Sequence, residues 1–268
     1  SHEHVVVSSD GIPQIYPEFI RREESIQEGI RALSEAKSEG LNSIIDVSTL
    51  DLGRDIKLIE QVSRESGVNI ICATGTWRDI PRAFWNATSD SVAALYQREI
   101  LEGIEGTGIK AGIIKVANDV GGVTREGEVI LRAAARAQKS TNVPISTHTW
   151  APDRVGEQQV RIFEDEGTHL NRVYIGHSND TTDIFYLESL LDKGVWIGLD
   201  RYPGGRSPGT PDWEGRTETA MKLISDGYGK RIMLGHYWSV TLSIDSKEGP
   251  ASRKQSNPDG YLFITRTV

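Results

Sequence analysis

The sequence predicts a single (β/α)8 barrel of the α/β class, and three observations carry that prediction. Short β-branched apolar runs alternate with amphipathic stretches along all 268 residues, and eight such runs can be counted. They are almost continuously apolar, like the strands of a parallel sheet covered by helices. Several amphipathic stretches stop at a glycine (Gly40, Gly67, Gly167 and Gly194), the residue expected just past a helix before the next strand. Regular alternation of this kind favours a closed barrel over an open doubly wound sheet, and one barrel of ordinary size uses the whole chain.

Taken in order, the strands are expected at 4–7, 43–47, 69–74, 110–116, 143–147, 172–176, 195–199 and 231–235. Helices are expected at 24–39, 54–66, 88–105, 125–140, 155–167, 181–193 and 214–227. In the first of these, Ile26, Ile30, Leu33 and Ala36 fall on one helical face. A polar loop, roughly 239–260, follows the eighth strand, and Tyr261–Val268 reads as the first turns of a closing helix. With nothing ahead of the first strand, the barrel reads as truncated at both ends, its seam partly uncovered.

The formal net charge of −8 argues against a nucleic-acid partner and against an anionic membrane. No run approaches the roughly 18 consecutive apolar residues of a membrane span. The single cysteine, Cys72, sits in the apolar run 69–74, where it reads as a buried inert thiol with no intrachain disulfide. That fits a reducing, cytoplasmic compartment. A signal peptide is not assessable in a chain that opens directly on a strand.

Chemistry concentrates at the ends of the expected strands. His2 and His4 flank Glu3, His148 closes the fifth strand, His177 the sixth, and Lys115 follows Gly112-Ile113-Ile114 in the fourth. Residues two apart on a strand share a face, so both imidazoles of the first strand enter the barrel together. Histidine is the commonest metal ligand near neutral pH, and active sites of this fold lie at the strands' C-terminal ends. Lys115 has two readings. A neutral amine takes up carbon dioxide to become a carbamate, an anionic ligand able to bridge two metals; alternatively, the ammonium reaches a substrate anion or an inward carboxylate. A bare ammonium among cations would be costly.

These residues, together with Leu199-Asp200-Arg201, Asp51-Leu52-Gly53-Arg54-Asp55, Ala73-Thr74-Gly75 and Asn257-Pro258-Asp259-Gly260, closely resemble the phosphotriesterase family of the amidohydrolase superfamily. The lactonase-like and phosphotriesterase-related branches are nearest. The resemblance implies two divalent metal ions, zinc first, with cobalt, manganese or iron as alternatives. It implies His2 and His4 on the more buried ion, His148 and His177 on the more exposed one, and carboxylated Lys115 bridging both. A hydroxide between the ions would attack a small-molecule lactone or ester, with phosphotriester cleavage as a side activity. It further implies a homodimer joined through loops near the barrel mouth.

One position departs from the pattern. The family's eighth strand ends in a run whose aspartate binds the buried metal and shuttles a proton, and this chain places Tyr237 there, within Leu234-Gly235-His236-Tyr237-Trp238. A phenol, unlike a carboxylate, is uncharged near neutral pH. Three readings compete: an inactivated hydrolase that keeps only metal or ligand binding, a defect in the sequence or gene, or a site in which tyrosinate replaces the carboxylate. Asp200 is the better-placed substitute carboxylate, whereas His236 should face outward. Trp77, Tyr202 and Trp238 are expected to line a substrate pocket with Arg201, the cation facing a substrate oxygen. Trp85 and Trp150 are further pocket candidates, and loop 203–211 is a turn-rich rim. For the tryptophans, packing between loops or in a dimer weighs equally. His169 is expected on the surface at the opposite end.

Overall fold

The apolar runs pair in parallel and in chain order. Ser43–Asp46 (β2), Asn69–Gly75 (β3), Ile113–Asn118 (β4), Ile145–Thr149 (β5), Val173–Ile175 (β6), Trp196–Leu199 (β7) and Ile232–Leu234 (β8) form one seven-stranded sheet. Val6–Val7 (β1) and Val240–Thr241 (β9) pair with each other, Val6 opposite Val240. The structure is a computed structural model describing residues 2–19, 21–204, 208–241 and 257–268. Most of the expected polar loop 239–260 and the middle of the rim 203–211 lie outside those residues.

The segment ahead of β1 closes the sheet into a barrel. Glu3 bridges Asp46 in parallel, its N–H donating to the Ile45 carbonyl and its own carbonyl accepting from Val47. On the other side, His4 N donates to the Trp238 carbonyl at 2.9 Å. One short strand therefore joins both edges, and backbone groups that would otherwise be orphaned at a sheet edge find partners.

Around the sheet lie Ile12–Ile15 (α1), Arg22–Ser38 (α2), Ile56–Ser66 (α3), Ser89–Leu101 (α4), Arg125–Thr141 (α5), Val155–Asp165 (α6), Ile184–Asp192 (α7) and Trp213–Ser225 (α8). Their starts are chemically marked. Asp55, Thr88, Thr124, Asp183 and Asp212 each accept an N–H of the first turn through the side chain. Glycines end four of them as expected, among them Gly67 with φ 69° and Gly194 with φ 88°, values an L side chain resists. Ile26, Leu33 and Ala36 are fully buried, so α2 presents the face read from the sequence.

Three expectations shift. β4 and β5 extend to Asn118 and Thr149, so Lys115 stands mid-strand and His148 within its strand. The apolar signal stops early because the later inward residues are polar while the ladder continues. α4 ends at Leu101, four residues early, because the chain turns at Gly103, where φ is 121°. The seam is covered among the described residues. Tyr261 and Leu262 pack with Trp238, Val5, Val6 and Leu33, and the Tyr261 hydroxyl donates to the His4 carbonyl at 2.5 Å. Arg266, on the closing turn Phe263–Thr267, pairs with Glu35, Glu39 and Asp259.

Candidate metal centre

His2, His4, Lys115, His148 and His177 converge at one end of the barrel, all at most 3% exposed. The His2 and His177 rings are 4.5 Å apart, as are those of His148 and His177. Lys115 Nζ lies 2.9 Å from His2 Nε2. Register explains the convergence: Lys115 pairs with Ser146 and Gly75, so its side chain shares the inward face of its neighbours.

Asp200, immediately after β7, organises the centre. Its Oδ1 accepts from both the backbone N–H and Nδ1 of His177, each at 2.8 Å. Its Oδ2 accepts from the Tyr174 hydroxyl at 2.7 Å and lies 3.2 Å from His2 Nδ1. Gly198 makes room for this pairing, since a Cβ there would strike the Tyr174 hydroxyl. With Nδ1 turned to a carboxylate, His177 carries its lone pair on Nε2, which is buried and without a hydrogen-bond partner among the described residues. A carboxylate that fixes the tautomer of a ligating imidazole is a recurring arrangement in metal proteins. His148 is held the same way from the other nitrogen, Nε2 lying 3.1 Å from Asp119 Oδ2, and its buried Nδ1 has no hydrogen-bond partner among the described residues. His4 Nδ1 is anchored at 2.9 Å by the Ser48 hydroxyl.

The electrostatics follow from burial. It pushes the His2 imidazole down to about 4 and that of His148 to about 3, and holds His177 well below its ordinary range. Burial likewise drives the Lys115 amine far down, favouring the uncharged form that reacts with carbon dioxide. For Asp200 burial acts upward, but the two imidazoles outweigh it and keep the carboxyl well below its usual range. The donors thus include neutral imidazole nitrogens with their remaining nitrogens fixed, and such a set fits a divalent cation. His2, His177 and Asp200 also place ligand atoms within 4.8 Å of one another. Both Asp200 oxygens are already engaged by His177 and Tyr174, so we assign it to orientation of the imidazoles rather than to coordination.

Tyr237 stands over this centre in the left-handed region, φ 52°, its ring 4.6 Å from His177, 5.4 Å from His2 and 5.3 Å from His4. Arg201 lies 5.0 Å above the Tyr237 ring and pairs with Asp180. Trp77 stands edge-on to His148 at 5.6 Å, its N–H held by Asp51. Other expected pocket residues are elsewhere. Tyr202 is fully buried in the core between the sheet and α8, and Trp238 packs beneath α2; each follows a barrel-facing residue and so points the other way. Trp85 is 54% exposed, its indole N–H donating to the Ile80 carbonyl. His236 faces the seam, with Nδ1 3.2 Å from Glu3 and Nε2 accepting from Ile264 N. His169 is exposed. A separate cavity of about 330 Å³, lined by Ile45, Ile113, Tyr174, Trp196 and Met233, opens at the opposite end. Sequence reasoning passed over Asp119, just after β4, Tyr174, inside β6, and Asp180, in the turn that follows His177.

The family profile of the phosphotriesterases matches residues 1–268. The chain belongs to the phosphotriesterase family. Among similar proteins, the aryldialkylphosphatase of Saccharolobus solfataricus is 39% identical over 243 residues, covering 90% of this chain and 76% of that protein. A phosphotriesterase homology protein of Mycobacterium tuberculosis is 40% identical over 245 residues, covering 88% and 74% respectively. The N-acetyltaurine hydrolase of Dictyostelium discoideum is 32% identical over 217 residues, 77% of this chain and 59% of that protein. Phosphotriesterase-family relatives of this chain are thus named for hydrolysis of chemically different bonds.

Proposed function

We propose that this phosphotriesterase-family chain is a binuclear metal-dependent hydrolase of lactones or esters, with phosphotriester cleavage as a side activity. The observation that supports it most is the unpartnered, buried Nε2 of His177, whose Nδ1 is locked onto Asp200. His2 and His4 would hold one divalent ion, zinc by preference, and His148 and His177 the other. Lys115 would complete the ligand set as a carbamate, its uncharged amine adding to carbon dioxide so that an N–C bond forms, one C=O π bond becomes C–O⁻ and a proton leaves to solvent. When bound, the ions supply a hydroxide nucleophile near neutral pH and polarise the carbonyl or phosphoryl oxygen. The chain's own groups do the rest. Asp200 orients His177 and lies beside His2, Asp119 orients His148, and Arg201 offers positive charge to the carbonyl or phosphoryl oxygen as the substrate binds. Trp77 forms an apolar wall beside His148.

Tyr237 favours a second reading, in which a family member binds metal or ligand but turns over poorly. A missing general base costs about 100- to 10,000-fold. Metal content after loading with zinc or manganese and bicarbonate, followed by lactone and phosphotriester assays, tests both. Near two equivalents with turnover supports the hydrolase. Two equivalents without turnover, together with a large gain in Tyr237→Asp, supports the impaired member, and fewer than two sinks the binuclear centre.

A further inference from the structure

Arg216 lies on α8, 1% exposed, and every nitrogen of its guanidinium is engaged. Nε donates to the Pro211 carbonyl at 2.9 Å, Nη1 to the Asn179 carbonyl at 2.6 Å, and Nη2 to Asp180 Oδ1 at 3.0 Å. The other Asp180 oxygen, Oδ2, accepts from Arg201 Nη1. Arg201 is tied to the same segment a second time, its backbone N–H donating to Asn179 Oδ1 at 3.2 Å. The pair Asn179-Asp180, two residues beyond His177, therefore carries both arginines. Gly204 keeps the space open, because a Cβ there would collide with Arg216 Nε.

The two guanidiniums differ in what they have left to give. Arg216 has each of its three nitrogens on a fixed acceptor. Arg201 retains a buried Nε without a hydrogen-bond partner among the described residues, and it stands above the Tyr237 ring at the mouth of the centre. A carboxylate paired with one arginine is neutral and free to swing with it. Paired with two it carries a net positive charge, and the rigid fork of the second fixes the plane in which the first must lie. We propose that Arg216 is a positioning residue: through Asp180 it aims Arg201 at the carbonyl or phosphoryl oxygen of an ester-type substrate and keeps the cluster cationic. This rests on the hydrolase reading above. A role confined to tethering α8 would leave Arg201 indifferent to it.

The test is a double-substitution cycle on the metal-loaded chain with a lactone and an aryl dialkyl phosphate, joined to mass-spectrometric mapping of phenylglyoxal labelling at Arg201 in metal-free protein. Arg216→Gln should raise KM about tenfold with kcat within about threefold, the signature of lost uniform binding. Arg201→Gln should give the same change, and the double variant no more than about twofold beyond either, since the residues act in series. Arg201 should be labelled several-fold faster in Arg216→Gln than in the parent. Should that variant not fold, Arg216→Lys takes its place; a lysine lacks the fork, so KM and labelling should move the same way. Additive losses, or a lowered melting temperature with KM and labelling unmoved, would overturn the proposal. If the parent hydrolyses neither substrate, the hydrolase reading fails, while the labelling still decides whether Arg216 holds Arg201.

Discussion

Asp200 gives one oxygen to the aim of His177 and sets the other 3.2 Å from His2 Nδ1, and its side chain is completely buried. Replacing it by Asn keeps the shape but presents an N–H where one imidazole N–H donates. The His177 tautomer is then no longer enforced. Asp200→Asn is expected to weaken metal affinity roughly 10- to 100-fold, the usual cost of losing a partner behind a ligand; competition against a chelator of known affinity measures it. An unchanged affinity would mean that Asp200 has no hold on the ligands. Tyr237 separates its own readings more sharply. Tyr237→Asp should raise turnover on the order of 100-fold or more if the phenol replaced a needed base, and lower it if the phenol itself serves. The histidines and Lys115 were legible because they interrupt apolar strands with residues that have no place in a barrel interior unless they work. Asp119 and Asp180 were not, since an acidic residue after a strand is the commonest kind of loop residue.

At the scale of elements, the first strand does two jobs through alternation. His2 and His4 face inward, and Glu3 between them faces the seam, where it accepts from His236 N, Trp238 N and His236 Nδ1 at 2.9, 2.9 and 3.2 Å. Burial raises the Glu3 carboxyl, but His236 more than offsets this and holds it below its ordinary range. Glu3→Ala removes the shared acceptor of two backbone N–H groups and of His236 Nδ1 beneath α2. A loss of about 3–5 kcal/mol is expected, as for other buried pairs broken on one side, and urea denaturation of the metal-free chain measures it. A loss under about 1 kcal/mol would show that the seam is held by Val6, Trp238 and Tyr261 alone. The helices were legible from periodicity and from their glycine stops. The way the predicted barrel closes was not, because β1 has two ladder residues and bonds to partners more than two hundred positions away, which no local pattern records.

For the molecule as a whole, the buried site makes stability depend on pH in one direction. In the unfolded chain each histidine titrates near its ordinary value of about 6.5. In the fold, burial lowers His2 to about 4 and His148 to about 3, and His177 well below the ordinary range. As pH falls through about 6.5 the unfolded state therefore takes up protons that the native state refuses, and stability is lost with each one. A histidine in that window contributes about 1.4 kcal/mol per pH unit, and the three together about 4. Their stabilisation is complete above the unfolded value and continues to drain as pH falls toward the folded ones. Lys115 has the same sign at higher pH, its lowered amine costing stability progressively as pH falls below its unfolded range. Asp46 and Asp51, raised by burial, act oppositely, each between its folded and its unfolded value. The urea midpoint of chelator-treated protein should thus fall gently from pH 8 to 7.5 through Lys115, with the three histidines adding a steeper slope between 7 and 5. His148→Asn should remove roughly a third of that slope. Divalent metal competes with protons only in the native site, where these imidazoles stay neutral down to about 4, so the stabilisation it gains from them should hold nearly constant from pH 8 to 5. A midpoint flat from pH 7 to 5 without metal would mean that the histidines are not held neutral, and the case for a preformed metal centre would fall with it.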